Sequence, residues 1–248
     1  MLAPDSTRLP PVSWPGFVDV GNFARAAVAP LAAQPEREYL DRRRWLDLPP
    51  GPITVAAVTA GAGEGQGLTL PGEEFVMVLD GQLTLRQGGV ELELAAGEHA
   101  LVLRDLPLEW SSAAGAQLIV LRCTAGGTPT VGQPVKIDTA ATLAPSNPPL
   151  AELLIGPTPQ CRSHAGYRSP SGEFVCGVWD STPYHRRPML FQHFELMHLL
   201  AGSVTFIDSS GAAGTFRTGD IVLFVRGGTV SWESREHVKK AYAWFRSA

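Results

Sequence analysis

Two stretches of the chain, EFVMVLDGQLTL at residues 74–85 and ELMHLLAGSVTF at residues 195–206, align at an offset of 121 residues. In both, a glutamate opens an apolar run, a glycine ends it two residues after a leucine, and a threonine lies in the short run that follows. Self-similarity at a fixed spacing indicates one folding unit that occurs twice. The fold therefore has to be explained for each half of the chain.

The repeat continues on both sides of these stretches. Downstream, at an offset of 122, the matching sets are Gly97, Glu98, Leu101, Arg104 and Trp110, and Gly219, Asp220, Leu223, Arg226 and Trp232. The extra residue falls in a predicted hairpin, residues 88–89 against 209–211, where insertions are tolerated. Upstream, Pro49 and Gly51 match Pro170 and Gly172. The correspondence thus covers most of each half.

Each half has the sequence pattern of short strands. Strand-like runs occur at residues 83–85, 100–103, 117–121, 204–206, 221–225 and 238–245. Glycine and aspartate turns separate them at intervals of about 8–12 residues, as in a β-sandwich or β-barrel. The one helical candidate, residues 23–33, is interrupted by Pro30. The sequence predicts an all-β protein.

Proline-rich sequence between the halves sets the predicted domain boundaries. We expect an N-terminal arm at residues 1–45 and a first barrel at 46–125. A connector and wrapping segment at 126–165 and a second barrel at 166–248 follow.

Composition excludes several classes of function. Of 248 residues, 44% are apolar and 18% are charged, which suits a globular core. A net charge of −4 argues against nucleic acid as a partner. The three cysteines, Cys123, Cys161 and Cys176, suggest neither a disulfide framework nor a zinc ribbon. With no signal peptide and no apolar run of membrane-spanning length, we expect a cytoplasmic protein with no membrane partner.

The repeated glutamate-to-glycine stretch resembles the first cupin motif, and the glycine-acid pair before an apolar strand resembles the start of the second. The whole chain is similar to a bicupin of the RmlC-like superfamily. Residues 219–242 resemble the ureidoglycine aminohydrolase-like cupin subfamily more narrowly. The resemblance implies two tandem double-stranded β-helix (jelly-roll) barrels, each with a mouth that often holds a metal and a small organic acid, amide or sugar derivative.

The resemblance also implies where metal ligands should lie, namely just before the motif glutamate and in the second motif. In the C-terminal half these positions hold Met189, Phe191 (or Leu190 with a shift of one) and Val230. In the N-terminal half they hold Leu68, Leu70 and Leu108. Because these side chains offer no nitrogen or oxygen donor, we expect no cofactor, although His193 and His185 leave a non-standard divalent metal site open.

The C-terminal half supplies the candidate site residues: His185, His193, Glu195, Trp232 and Arg226. Glu195 is the candidate acid or base. His193 lies two residues before Glu195 and would share its face of a strand, or it is a polar residue of the preceding loop. Trp232, like Trp110, is either an aromatic wall for a planar ligand or a plug for the barrel end. Arg226, like Arg104, is either a clamp for a carboxylate or a solvated charge.

Two functions follow from this reading. The first is a bicupin that binds a small molecule, or has a structural or regulatory role, without the usual metal. The second is a metal-dependent enzyme similar to ureidoglycine aminohydrolase, acting on a carbon–nitrogen bond of a ureide or amino acid derivative. In either case the N-terminal barrel could be a filled structural partner, and a homodimer is expected from the way cupin barrels pair.

Overall fold

Strands dominate the computed structural model of the protein, which describes residues 14–26, 43–67, 69–127 and 132–247. Within these ranges there are twenty strands, one α-helix and one short 3-10 helix. The predicted all-β jelly-roll fold is confirmed. No helix in the described ranges is long and apolar enough to cross a membrane.

The N-terminal half consists of a strongly curled, nine-stranded sheet. Its strands, with the short β1 and α1 that precede them, are β1 (Phe17–Asp19), α1 (Val20–Arg25), β2 (Arg43–Trp45), β3 (Ile53–Ala60), β4 (Gly63–Gly67), β5 (Glu73–Gln87), β6 (Val90–Ala95), β7 (His99–Leu103), β8 (Leu108–Ser112), β9 (Ala116–Cys123) and β10 (Val135–Lys136). The main path is β10-β7-β5-β9-β3-β2, and β4, β6 and β8 pair around the distal part of the long strand β5. One sheet therefore folds over on itself.

Two sheets form the C-terminal half. Its elements are β11 (Ala144–Ser146), the 3-10 helix Ala151–Leu153, β12 (Cys161–Arg168), β13 (Phe174–Ser181), β14 (Tyr184–Leu190), β15 (Phe194–Ala201), β16 (Ser203–Ile207), β17 (Ala213–Arg217), β18 (Ile221–Phe224), β19 (Thr229–Ser234) and β20 (Val238–Phe245). The seven-stranded sheet has the order β1-β18-β15-β20-β13-β12-β11, and the four-stranded sheet has the order β14-β19-β16-β17.

The predicted connector contributes strands to both halves. β10 pairs with β7 of the N-terminal half, and β11 pairs with β12 of the C-terminal half. The segment from residue 132 to β12 therefore ties the two halves together while it crosses between them.

Strand alternation separates the buried side chains into three apolar clusters. On β15, Leu196 faces the cluster shared by both halves, whereas Met197 and Leu199 face the interior of the C-terminal half. On β5, Phe75 and Met77 likewise face the shared cluster, and their neighbours face the interior of the N-terminal half. The seven- and nine-stranded sheets thus pack face to face, and each half keeps a second core of its own.

The repeated motif glycines occupy backbone positions that no other residue fits well. Gly81 and Gly202 have φ angles of 79° and 76°. A methyl group on either would overlap a backbone carbonyl oxygen, that of Gly115 for Gly81 and that of His237 for Gly202. Both the left-handed backbone and the close approach of a neighbouring strand therefore require glycine.

The strand predictions agree with the observed elements, and residues 238–245 coincide with β20. The helix differs: α1 spans Val20–Arg25 and begins at the N-cap Asp19, whose carboxylate accepts a hydrogen bond from the backbone N–H of Asn22. Residues 27–33 of the predicted helix, most of the predicted arm and Leu68 lie outside the described residues.

Candidate functional site

A cavity of about 310 Å³ lies between the seven- and four-stranded sheets of the C-terminal half. Seven strands and the end of β11 contribute aromatic, charged and small polar side chains to its wall. They are Ser146, Asn147, Ser163, Trp179, Tyr184, Arg186, Met189, Phe191, His193, Glu195, Phe224, Trp232, Lys240, Tyr242 and Trp244. A mostly aromatic pocket with a few convergent polar groups is the usual form of a small-molecule site.

Glu195 and Lys240 form an ion pair on the cavity wall. The Lys240 Nζ lies 2.9 Å from the Glu195 Oε1, and the two side chains are 8% and 13% exposed. The His193 Nε2 lies 3.5 Å from the other carboxylate oxygen. Burial by itself would raise the pKa of Glu195, but Lys240 and His193 outweigh it and lower that pKa to about 2. Glu195 is therefore a carboxylate at neutral pH and not a proton donor.

Aromatic rings hold the Lys240 ammonium in place. Its Nζ lies 4.8 Å from the centre of the Trp179 ring and 5.2 Å from that of Trp232. Trp232 stacks on Tyr184 with a centroid distance of 5.4 Å and an interplanar angle of 8°. The indole N–H of Trp232 donates to the Ser234 hydroxyl at 3.2 Å. These contacts fix the position of the Lys240 ammonium and of the aromatic rings that form the flat walls of the cavity.

Arg186 brings a second cation to the cavity from β14. Its side chain is almost fully buried, its Nη2 donates to the Val230 carbonyl at 3.1 Å, and its guanidinium lies 5.1 Å from the Phe191 ring centre. Among the described residues, neither a hydrogen-bond acceptor for its Nε nor a carboxylate within 4.0 Å is present. Burial lowers the pKa of Arg186, whereas the charges of Tyr184 and Glu195 act to raise it. Arg186 keeps its positive charge, because an arginine is not deprotonated in proteins.

Comparison with known proteins identifies the family. The EutQ-like cupin domain matches residues 168–242. A solved protein of unknown function from Pseudomonas syringae pv. tomato, assigned to the DUF861 family, is 30% identical with a TM-score of 0.76, and the match covers 82% of this chain and 86% of that one. The chain belongs to the DUF861 family of cupins.

More distant cupins share only the fold with this cupin. A cupin 2 conserved barrel domain protein from Leptotrichia buccalis is 11% identical with a TM-score of 0.55, covering 91% of this chain and 95% of its own. HEPD from Streptomyces albus, solved with 2-hydroxyethylphosphonate and Fe(II), is 9% identical with a TM-score of 0.56, covering 94% of this chain and 76% of its own. No curated protein matches the chain.

The donor groups of this cupin do not suit a transition-metal ion. Met189 and Phe191 line the cavity, and Val230 is fully buried, so three of the expected ligand positions carry a thioether or hydrocarbon. Within the described residues, no three His, Cys, Asp or Glu side chains cluster closely enough to hold a metal. The Glu195 carboxylate is already paired with an ammonium that would repel a second cation.

Side chains fill the part of the N-terminal half that corresponds to the cavity of the C-terminal half in this cupin. Gly65 on β4 pairs with Trp110 on β8. At the matching position of the C-terminal half, Arg186 on β14 pairs with Trp232 on β19. The interior holds aliphatic side chains, including Leu108, which is 1% exposed. The motif acid Glu74 is fully buried between Arg43 at 2.8 Å and Arg104 at 3.6 Å. Of the other two predicted ligand positions there, Leu70 is half-buried and Leu68 lies outside the described residues.

The structure brings three of the predicted site residues together and leaves two apart. Glu195, His193 and Trp232 line the cavity. His185 lies between Tyr184 and Arg186 on β14, and alternation turns it to the opposite face. Arg226 is exposed in the turn after β18 and does not line the cavity. Its repeat partner Arg104, for which the sequence leaves open a carboxylate clamp or a solvated charge, is fully buried beside Glu74.

Sequence reasoning missed Lys240, Arg186, Tyr184 and Tyr242. A signal for Lys240 was present, because a lysine inside the apolar strand Val238–Phe245 has to be paired if it points inward. Arg186 gave no comparable signal, since β14 contains charged and proline residues and resembles an exposed segment.

Proposed function

We propose that the protein is a bicupin that binds a small organic molecule in its C-terminal half without the help of a metal ion. One observation carries this proposal: a cavity in the C-terminal half has two cationic side chains in its wall, at positions where the N-terminal half has a glycine and a buried leucine. Arg186 corresponds to Gly65, and Lys240 corresponds to Leu118. The fold alone does not require these polar groups.

Equivalent strand pairings support the internal duplication. Glu74 pairs with Val102 and Arg122, and its counterpart Glu195 pairs with Phe224 and Trp244 at matching positions of the repeat. The motif glycines Gly81 and Gly202 share the same backbone conformation. We infer that the N-terminal half serves as a structural partner for the ligand-binding half.

The Glu195–Lys240 pair supports metal independence. A motif carboxylate in a buried pocket needs a nearby positive charge, and here the Lys240 ammonium provides it at 2.9 Å. A ligand would then meet a fixed ion pair, an arginine and aromatic walls.

A fragment screen by thermal shift, in buffer with a chelator, tests this function. We expect some polar aromatic fragments to raise the Tm of the wild type. Ser163→Trp should abolish these shifts because Ser163 lines the cavity and a large ring there would fill it. His164→Trp is the matched control, since the neighbouring His164 is exposed and does not line the cavity.

Two results would overturn the proposal. Fragments that bind the wild type and Ser163→Trp equally would place binding elsewhere. Stoichiometric manganese, iron, nickel or zinc that is lost in Glu195→Gln would favour the alternative function, a metal-dependent enzyme similar to ureidoglycine aminohydrolase acting on a carbon–nitrogen bond. The predicted homodimer and cytoplasmic location stay predictions.

A further inference from the structure

A buried arginine with an incomplete set of partners faces the cavity. Arg186 is 6% exposed, and its hydrogen bond to the Val230 carbonyl uses one of five N–H groups. In the part of the chain that the structure describes, its buried Nε has no acceptor. Burying a charged side chain without an opposite charge nearby is costly. A bound anion would supply that opposite charge to Arg186.

The charges on the cavity wall do not balance. Lys240 and Glu195 neutralise each other at 2.9 Å, which leaves the Arg186 charge uncompensated. A ligand that carries one negative charge would complete the set. A neutral ligand would leave the positive charge of the guanidinium uncompensated, and a cationic ligand would add a further positive charge to the cavity.

The strand around Arg186 is built irregularly. β14 pairs with β19 in register up to Arg186 opposite Trp232, and the register then shifts before Met189 meets Val230. Such bulges often re-aim a side chain beside a binding site. In the N-terminal half the equivalent strands β4 and β8 pair without a shift, and Gly65 faces Trp110.

We propose that Arg186 is the anion subsite of the cavity, and that the ligand is a small carboxylate with a flat or apolar body. The inference rests on the proposed function and specifies its ligand. The planar guanidinium matches the two oxygens of a carboxylate. The body of the ligand would lie against the Trp232 and Tyr184 rings, with the Glu195–Lys240 pair beside it.

Matched pairs of probes test the subsite: benzoate with benzamide, nicotinate with nicotinamide, and 2-furoate with 2-furamide. Calorimetric titration should show that at least one carboxylate binds the wild type ten times or more tightly than its amide. Arg186→Gln should abolish that preference, and Arg186→Lys should keep part of it because it retains the charge but loses the planar fork. Arg187→Gln, an exposed neighbour on the same strand, should keep all of it.

Each outcome has a separate meaning. If acids and amides bind the wild type equally, or if Arg186→Gln keeps the preference, the anion subsite is wrong while small-molecule binding stands. If no probe of either kind binds the wild type and the fragment screen is also empty, the proposed function fails and the subsite fails with it. Near-UV circular dichroism of each variant shows that loss of binding does not come from loss of the fold.

Discussion

At the scale of single residues, the Glu195–Lys240 pair is the ion pair of the cavity wall. Both side chains are buried, and neither could remain ionised there alone. The pair does not give the fold more stability than a hydrocarbon pair of the same size would. It places two fixed charges at the wall of a cavity.

Removing one partner of this pair should be costly. Lys240→Met leaves the Glu195 carboxylate buried beside His193 alone, and we expect a loss of about 3–5 kcal/mol in the free energy of unfolding at pH 7. The double variant Glu195→Gln/Lys240→Met should recover most of that loss because no charge is left unpaired. Urea denaturation of both variants measures this, and equal losses in the two would contradict the argument.

The same pair should leave a signature in the acid range. The pKa of Glu195 is about 2 in the fold against 4.5 as its usual value, so its contribution to stability is present above pH 4.5 and falls away as the pH drops toward 2. The wild type should therefore lose free energy of unfolding relative to Glu195→Gln/Lys240→Met as the pH falls over that interval. A difference that stays constant with pH would show that Glu195 titrates alike in both states.

At the scale of strands and turns, the sequence predicts the elements well and the site only in part. The strand β20 follows from the apolar run Val238–Phe245, because burial on both faces needs no knowledge of partners. Lys240 was missed since its role depends on the register that sets β20 beside β15 and Glu195. Arg186 depends on a bulge, and a bulge leaves no periodic pattern to read.

Two turns of the C-terminal half, at Gly202 between β15 and β16 and at Gly219 between β17 and β18, allow strain and steric overlap to be separated. Gly202 and Gly219 both have positive φ, at 76° and 90°, but only Gly202 has a carbonyl in the way of a methyl group. Gly219→Ala should therefore cost about 1–2 kcal/mol of stability. Gly202→Ala should cost about 2–3 kcal/mol more, because the His237 backbone has to move. Thermal unfolding compares them, and equal losses would mean that the overlap relaxes freely.

At the scale of the whole molecule, a pair of buried histidines crosses the apolar face that the two halves share. The His99 Nε2 on β7 lies 3.0 Å from the His198 Nδ1 on β15, and His99 also stacks on Phe75 at 5.5 Å. Around them the shared cluster is built from apolar side chains of both sheets. A proton added to this pair therefore places a charge in the interface that joins the halves.

Acid should weaken this interface as the pH falls below 6.5. Burial, and the neighbouring His198, lower the pKa of His99 from 6.5 to about 3, and burial lowers that of His198 to about 4 although Asp220 opposes it. Below pH 6.5 these two histidines thus bind more protons in the unfolded chain than in the folded protein. The free energy of unfolding should therefore fall from pH 6.5 down to about pH 4, by up to about 1.4 kcal/mol per pH unit for each extra proton. His99→Leu/His198→Leu should lose this slope between pH 6.5 and 5, since two apolar groups of similar size can replace a buried polar pair. Urea denaturation across that range measures the slope. Parallel curves for the wild type and the double variant would mean that both histidines bind protons equally in the folded and unfolded states, contrary to the lowered pKa values.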